Sequence, residues 1–185
     1  VDGLAGYHDV RSYPDAHRFP GLVIYRFDAP LFFANAKTFR DEVMRLARNE
    51  PAPRWIVVAA EPVTDVDTTA ADVLLQLDHT LDERGQSLVF AELKDPVRRK
   101  IDGYGLTAKI EPQHLFPTVE AAVRADLGIG DDQTVVLYTP TWRDDLVFQK
   151  TGPQDFEFPV DLEEFTARLG KDHVLLLRLH NMVMD

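Results

Sequence analysis

WIVVAAEPVTDVDTTAADVLLQLDHTLDERGQSLVFA, residues 55–91, sets the architecture of this chain. Trp55-Ile56-Val57-Val58-Ala59-Ala60 is a continuous apolar run of the kind shown by a central strand covered on both faces. A Pro62-containing loop follows. From Thr69, with Asp72 three residues on, Ala70, Val73, Leu74, Leu77 and Leu81 recur at the helical period, and Gly85 stops the pattern. Ser87-Leu88-Val89-Phe90-Ala91 is then a second buried strand. Strand, helix and strand in this order imply a mostly parallel sheet with helices packed on it.

The same alternation extends outward. Residues 1–20 are polar, with two prolines and no period, and read as an extended entry segment. Leu22 to Phe27 and Leu31-Phe32-Phe33-Ala34 read as two short strands, and the tight Asp28-Ala29-Pro30 connection favours an antiparallel pair. Thr38-x-x-Asp41 opens a helix with Phe39, Val43 and Leu46 on one face. Downstream, Asp95-Pro96 supplies a cap and a first-turn proline, with Val97, Ile101 and Tyr104 inward and Gly105 at the end. Leu115-Phe116 is a short strand, and a helix runs from Thr118 to about Leu127. The expected order is β-β-α-β-α-β-α-β-α, an α/β domain over residues 1–127.

The character changes after Gly128. Thr134 to Tyr138 reads as a strand, Asp161-x-x-Glu164 caps a helix carrying Leu162, Phe165 and Leu169, and Val174 to Leu179 is another strand. Residues 128–185 thus hold a partial, Rossmann-like βαβ unit, which alone cannot cover both faces of its strands.

Composition excludes several classes of function. The formal net charge is −11, with 20 Lys/Arg against 31 Asp/Glu, and such a surface repels phosphate backbones. No nucleic-acid partner is expected, and Arg98-Arg99-Lys100 reads as a solvated helix face. No cysteine is present, so disulfides, zinc–thiolate sites and thiol catalysis are excluded. The six histidines lack metal-ligand spacing, so neither a metal nor a cofactor is expected. No apolar run approaches the roughly 20 residues needed to span a bilayer. The chain begins at Val1 and stops at Asp185 just after an apolar run, so both ends are expected to be cut.

Between the first buried strand and its helix lies Glu61-Pro62-Val63-Thr64-Asp65-Val66-Asp67-Thr68-Thr69-Ala70-Ala71-Asp72. Hydroxyls and acids converge there on a helix N-terminus, whose unpaired N–H groups favour negative charge. A plain capping box, Thr69 with Asp72 reaching back, accounts for these residues without any function. The wider pattern adds to this. Gly3-Leu4-Ala5-Gly6-Tyr7-His8-Asp9, Pro20-Gly21-Leu22-Val23, Asp28-Ala29-Pro30-Leu31-Phe32-Phe33-Ala34-Asn35-Ala36, the Val63 to Ala71 turn and Lys94-Asp95-Pro96-Val97 together resemble the STAS domain of SulP-type sulfate and anion transporters. The resemblance covers about residues 1–123.

It implies a non-catalytic regulatory and protein-interaction domain on the cytoplasmic side of the plasma membrane, with the transporter's membrane domain missing from this chain. The wider STAS class includes the bacterial anti-sigma factor antagonists, in which a Ser or Thr at the start of this helix is phosphorylated to switch a protein interface. The matching residue is Thr69, with Thr68 beside it and Asp67 as the preceding acid. These three form the candidate regulatory site, and the surface around them is where a protein partner is expected. A free-standing antagonist is a further alternative, against which the Ala-Pro-Leu-Phe-Phe-Ala-Asn-Ala run argues.

Arg124-x-x-Leu127-Gly128-Ile129, Thr139-Pro140-Thr141-Trp142-Arg143-Asp144-Asp145 and Leu175-Leu176-Leu177-Arg178-Leu179-His180 resemble a different family, the CDP-glycerol glycerophosphotransferases of teichoic-acid synthesis. That likeness implies that Arg143 and His180 contact donor phosphates in a complete enzyme on a two-lobed, glycosyltransferase-like fold. The rival reading is accordingly a fragment of such an enzyme fused to a STAS domain. One βαβ unit cannot hold donor, acceptor and base in register, so no catalytic residue is assigned. Any activity would belong to the C-terminal segment. The two resemblances meet around Val119 to Leu127.

Overall fold

Four parallel strands run side by side in chain order, and each connection between them passes through a helix. The structure is a computed structural model and describes residues 7–10, 12–13, 18–106, 110, 112–130, 132–138 and 161–177. Its elements are β1 (Leu22–Arg26), α1 (Ala36–Leu46), β2 (Trp55–Ala59), α2 (Thr68–Asp82), β3 (Ser87–Ala91), α3 (Asp95–Gly103), β4 (Leu115–Phe116) and α4 (Val119–Asp126). They are followed by β5 (Thr134–Tyr138), α5 (Leu162–Leu169) and β6 (His173–Leu177). The chain divides into two compact units, Val1–Gly128 and Ile129–Asp185.

In the first unit, strand alternation sorts side chains into two cores. Ile56 and Val58 of β2, with Leu88 and Phe90 of β3, face the layer built from α1, α2 and α3. Phe39 and Val43 of α1, Leu74, Leu77 and Leu81 of α2, and Val97 and Ile101 of α3 close that side. Val57, Ala59, Val89 and Ala91 point the other way and meet Val119, Ala122 and Val123 of α4. Burial on both faces explains why β2 and β3 read as unbroken apolar runs. Each fully buried Leu or Phe contributes about 1.5–3 kcal/mol.

One buried polar side chain ties these layers together. Gln86, just ahead of β3, donates from Nε2 to the carbonyls of Ala47 (2.9 Å) and Pro53 (2.8 Å). It thereby supplies donors to two carbonyls at the α1–β2 connection.

The expected antiparallel pair at the start is not there. Residues 31–34 do not form a strand; Leu31 makes a single parallel bridge with Val66, and the chain then turns into α1. Asn35 is the reason. Its Oδ1 accepts the Phe32 N–H at 2.9 Å, and its Nδ2 donates to the Pro30 carbonyl at 2.8 Å. The Phe32 carbonyl accepts the N–H groups of Asn35 and Ala36, each at 2.9 Å. A turn that consumes these groups leaves nothing for a ladder. β1 pairs in parallel with β2 instead, Leu22 opposite Trp55 through Arg26 opposite Ala59. The α1 start also moves, to Ala36 with Asn35 at the cap, rather than Thr38.

In the second unit, β5 and β6 pair in parallel, Thr134 opposite His173 through Tyr138 opposite Leu177. Asp161 caps α5 by accepting the Glu164 N–H at 2.9 Å.

Candidate functional site

The loops that leave the C-terminal ends of β1 and β2 are stitched together, and this stitching builds the site. The Leu31 N–H donates to the Asp65 carbonyl (2.8 Å), and the Asp67 N–H donates to the Leu31 carbonyl (3.1 Å). The β1–α1 turn is thereby held beside the head of α2.

Asp67 is the hinge of this arrangement. It, and not Thr69, is the N-cap of α2: Oδ1 accepts the Ala70 N–H at 2.7 Å, from an extended backbone with ψ of 172°. Three cap-forming residues stand in a row here, and the one that wins is the one with a second job. Its Oδ2 accepts the Phe33 N–H at 2.9 Å, 34 residues away. Thr68 and Thr69 are therefore the first two residues of the helix, both exposed. Their hydroxyls lie in the first turn, where the helix dipole favours negative charge. Asp67, Thr68 and Thr69 thus lie at one place, with the acid partly covered and both hydroxyls open to solvent.

Two further groups frame the turn. Asp65 accepts its neighbour Val66's N–H at Oδ1 (2.8 Å) and pairs there with Lys100 of α3 at 2.5 Å. The Lys100 hydrogen bond holds the Asp65 carboxyl below the usual carboxylate range, and the same bond raises Lys100. Phe32 and Phe33 stand on the other side with rings in an edge-to-face contact at 5.8 Å. Phe33 is 71% exposed and Phe32 39%. Sequence reading missed Phe33, taking it as strand. The signal was available, since two consecutive large aromatics beside a proline cannot both face one side of a strand.

Arg143 and His180 lie outside the described residues. Among the described residues, no group of three or more His, Asp or Glu is placed to hold a metal ion, and no helix is long and apolar enough to cross a membrane.

Comparison with known proteins gives this geometry a family. The family model described as STAS domain matches residues 13–122, more than half of the chain. The chain belongs to the STAS family. A probable sulfate transporter of Mycobacterium tuberculosis is 43% identical to it over 126 residues, which are 68% of this chain and 22% of that protein. The STAS chain therefore spans about a fifth of the length of that relative. Among solved structures, the murine Solute Carrier 26 family member A9 anion transporter in its inward-facing state superposes with a TM-score of 0.62. The two share 23% identity over 69% of this chain and 21% of that one. The SulP transporter STAS domain of Vibrio cholerae superposes with a TM-score of 0.52 at 21% identity, over 64% of this chain and 91% of that one. The anti-sigma factor antagonist SpoIIAA, in its unphosphorylated form, shares the fold at a TM-score of 0.50 and 16% identity, over 63% of this chain and 96% of that one. A second family model, CDP-Glycerol:Poly(glycerophosphate) glycerophosphotransferase, matches residues 115–185, less than half of the chain, and overlaps the STAS match at its start.

Proposed function

We propose that the STAS unit serves a SulP-type sulfate or anion transporter as a non-catalytic regulatory and protein-interaction domain on the cytoplasmic face of the plasma membrane. The observation that carries this reading is the 43% identity over 126 residues with a probable sulfate transporter. That identity also ranks the transporter reading above a free-standing anti-sigma antagonist, which is supported by likeness of fold alone. The regulatory site is the surface around Asp67, Thr68 and Thr69. Phosphorylation of Thr69 would add about −1.5 to −2 charges to the first turn of α2, a place where the helix accepts them and a bound partner must respond to them.

The test is a chimera. Residues 1–128 replace the matching stretch of the Mycobacterium tuberculosis relative, and sulfate uptake is measured in cells against that relative intact and with the stretch deleted. Uptake is expected to persist in the chimera and to fall on deletion. Uptake indifferent to the deletion would remove the regulatory reading.

A second reading applies to residues 129–185, where the glycerophosphotransferase match favours a segment derived from that enzyme family. One βαβ unit supplies no acceptor side, so this segment is proposed to be inactive. Turnover of CDP-glycerol by the full chain would show otherwise.

A further inference from the structure

Phe33 is the most exposed large apolar side chain among the described residues, and it is not loose. Its N–H is fixed to the Asp67 carboxylate, and its ring packs edge-on to Phe32. An immobilised, solvent-facing aromatic pair costs hydration free energy and supplies rigid contact area, as the anchors of protein interfaces do. The pair sits at the head of α2, whose exposed residues Thr69, Asp72, Gln76 and His79 follow one another at helical spacing in a single stripe. Between Arg54 and Arg84 the sequence holds no Lys or Arg, and of its seven acids Asp72, Asp82 and Glu83 stand exposed on α2 and its C-cap, whereas Asp78 is buried and Glu61 and Asp65 are paired. At the head of α2, Lys100 pairs with Asp65 and also feels the charge of Asp67, whereas no ion pair to Asp72 is seen among the described residues.

From this we infer that the Phe32–Phe33 turn and the exposed side of α2 dock a basic amphipathic protein segment, its apolar side chain received against Phe33 and its cations against Asp72 and, lower on the helix, Asp82 and Glu83. The inference rests on the reading of this surface as a protein-interaction site and names the chemistry of its occupant. Membrane surfaces and nucleic acids, both anionic, are disfavoured by the exposed acids Asp72, Asp82 and Glu83. A phosphate on Thr69 adds negative charge to the stripe, so it tightens binding of this occupant.

The experiment titrates the isotope-labelled full chain with a synthetic amphipathic Leu/Lys peptide at about 0.15 M salt, where distant charges are screened. A Leu/Glu peptide of the same apolar pattern is the control. Backbone amide shifts are expected at Phe32, Phe33 and Thr68 to Asp72 with the Leu/Lys peptide alone. Phe33→Ala weakens that binding about tenfold, as loss of an anchor does. Asp72→Lys weakens it without touching the apolar anchor, and Thr69→Glu strengthens it. Because Phe33 and Asp72 are both exposed, neither change threatens the fold.

Three results each overturn the inference: shifts spread over all acidic surfaces and indifferent to Phe33→Ala, equal response to the Leu/Glu peptide, or shifts at Phe33 that appear on concentrating the chain without peptide. The last result would make the occupant a second copy. Carrying Phe33→Ala into the uptake chimera separates the two levels. Altered uptake with no Leu/Lys binding keeps the regulatory site and removes the basic occupant.

Discussion

Asp126 is the least comfortable residue of the STAS unit. It closes the last turn of α4, the negative end of a helix dipole, where a carboxylate is disfavoured. Its side chain is only 2% exposed and, among the described residues, Oδ2 has no hydrogen-bond partner. What holds it is Arg54, whose guanidinium reaches Oδ1 at 3.1 Å from the entry to β2 while remaining largely in solvent. Breaking such a pair from the arginine side leaves a buried carboxylate with nothing, whereas removing the charge on the acid relieves the problem. Arg54→Ala should therefore cost about 1–3 kcal/mol in urea unfolding of the full chain, the price of an unsatisfied buried group. The double variant with Asp126→Asn should recover part of the loss, giving a coupling term larger than the roughly 1 kcal/mol or less of an exposed ion pair. Equal losses in the single and double variants would mean that the carboxylate does not need its partner.

Elements show where one-dimensional reading succeeds and where it stops. Trp55–Ala59 and Ser87–Ala91 were legible as strands because both of their faces are buried, so the apolar run is unbroken. The inward face of α2 was legible for a similar reason, since Leu74, Leu77 and Leu81 keep helical spacing and are all buried. The start of α2 was not. Asp67, Thr68 and Thr69 are all competent caps, and local sequence offers no preference among them. The choice is made by the Phe33 N–H, supplied from 34 residues away. Leu31 to Ala34 failed for the same reason: the run has strand composition, but its hydrogen bonds go to Asn35 and to the Asp65–Asp67 backbone. The site was half legible, with the hydroxyls and the acid evident and the exposed Phe33 hidden in a misread strand. Because one carboxylate serves two elements, Asp67→Ala should do two things at once. It should cost about 1–2 kcal/mol, at the upper end of a lost cap. It should also release the Phe33 amide, seen as faster hydrogen exchange there and at Ala70 than at Leu77. If only Ala70 responds, the turn holds itself without the carboxylate.

At the scale of the whole molecule, the two units differ in how well each covers its own strands. In the first, three helices close one face of the sheet and α4 closes the other, so Ile56 to Ala59 and Leu88 to Ala91 are all buried. In the second, Val135 and Val136 of β5 and Val174, Leu175 and Leu176 of β6 are only half-buried. Two paired strands with little cover are marginal in water, and backbone opens most readily where few apolar contacts hold it. The cooperative stability of the chain should thus reside in residues 1–128. Limited trypsin digestion, followed by intact mass, puts this to the test through exposed sites of both units. Cleavage after Arg168 or Lys171 should run well ahead of cleavage after Arg84, which sits on the turn closing α2, a helix whose inward face is buried in the core. Because the sequence has no Lys or Arg between Arg124 and Arg143, a persistent fragment ending at Arg143 would then accumulate. Cleavage at Arg84 as fast as at Arg168 would show instead that the difference in strand cover does not govern where this chain opens.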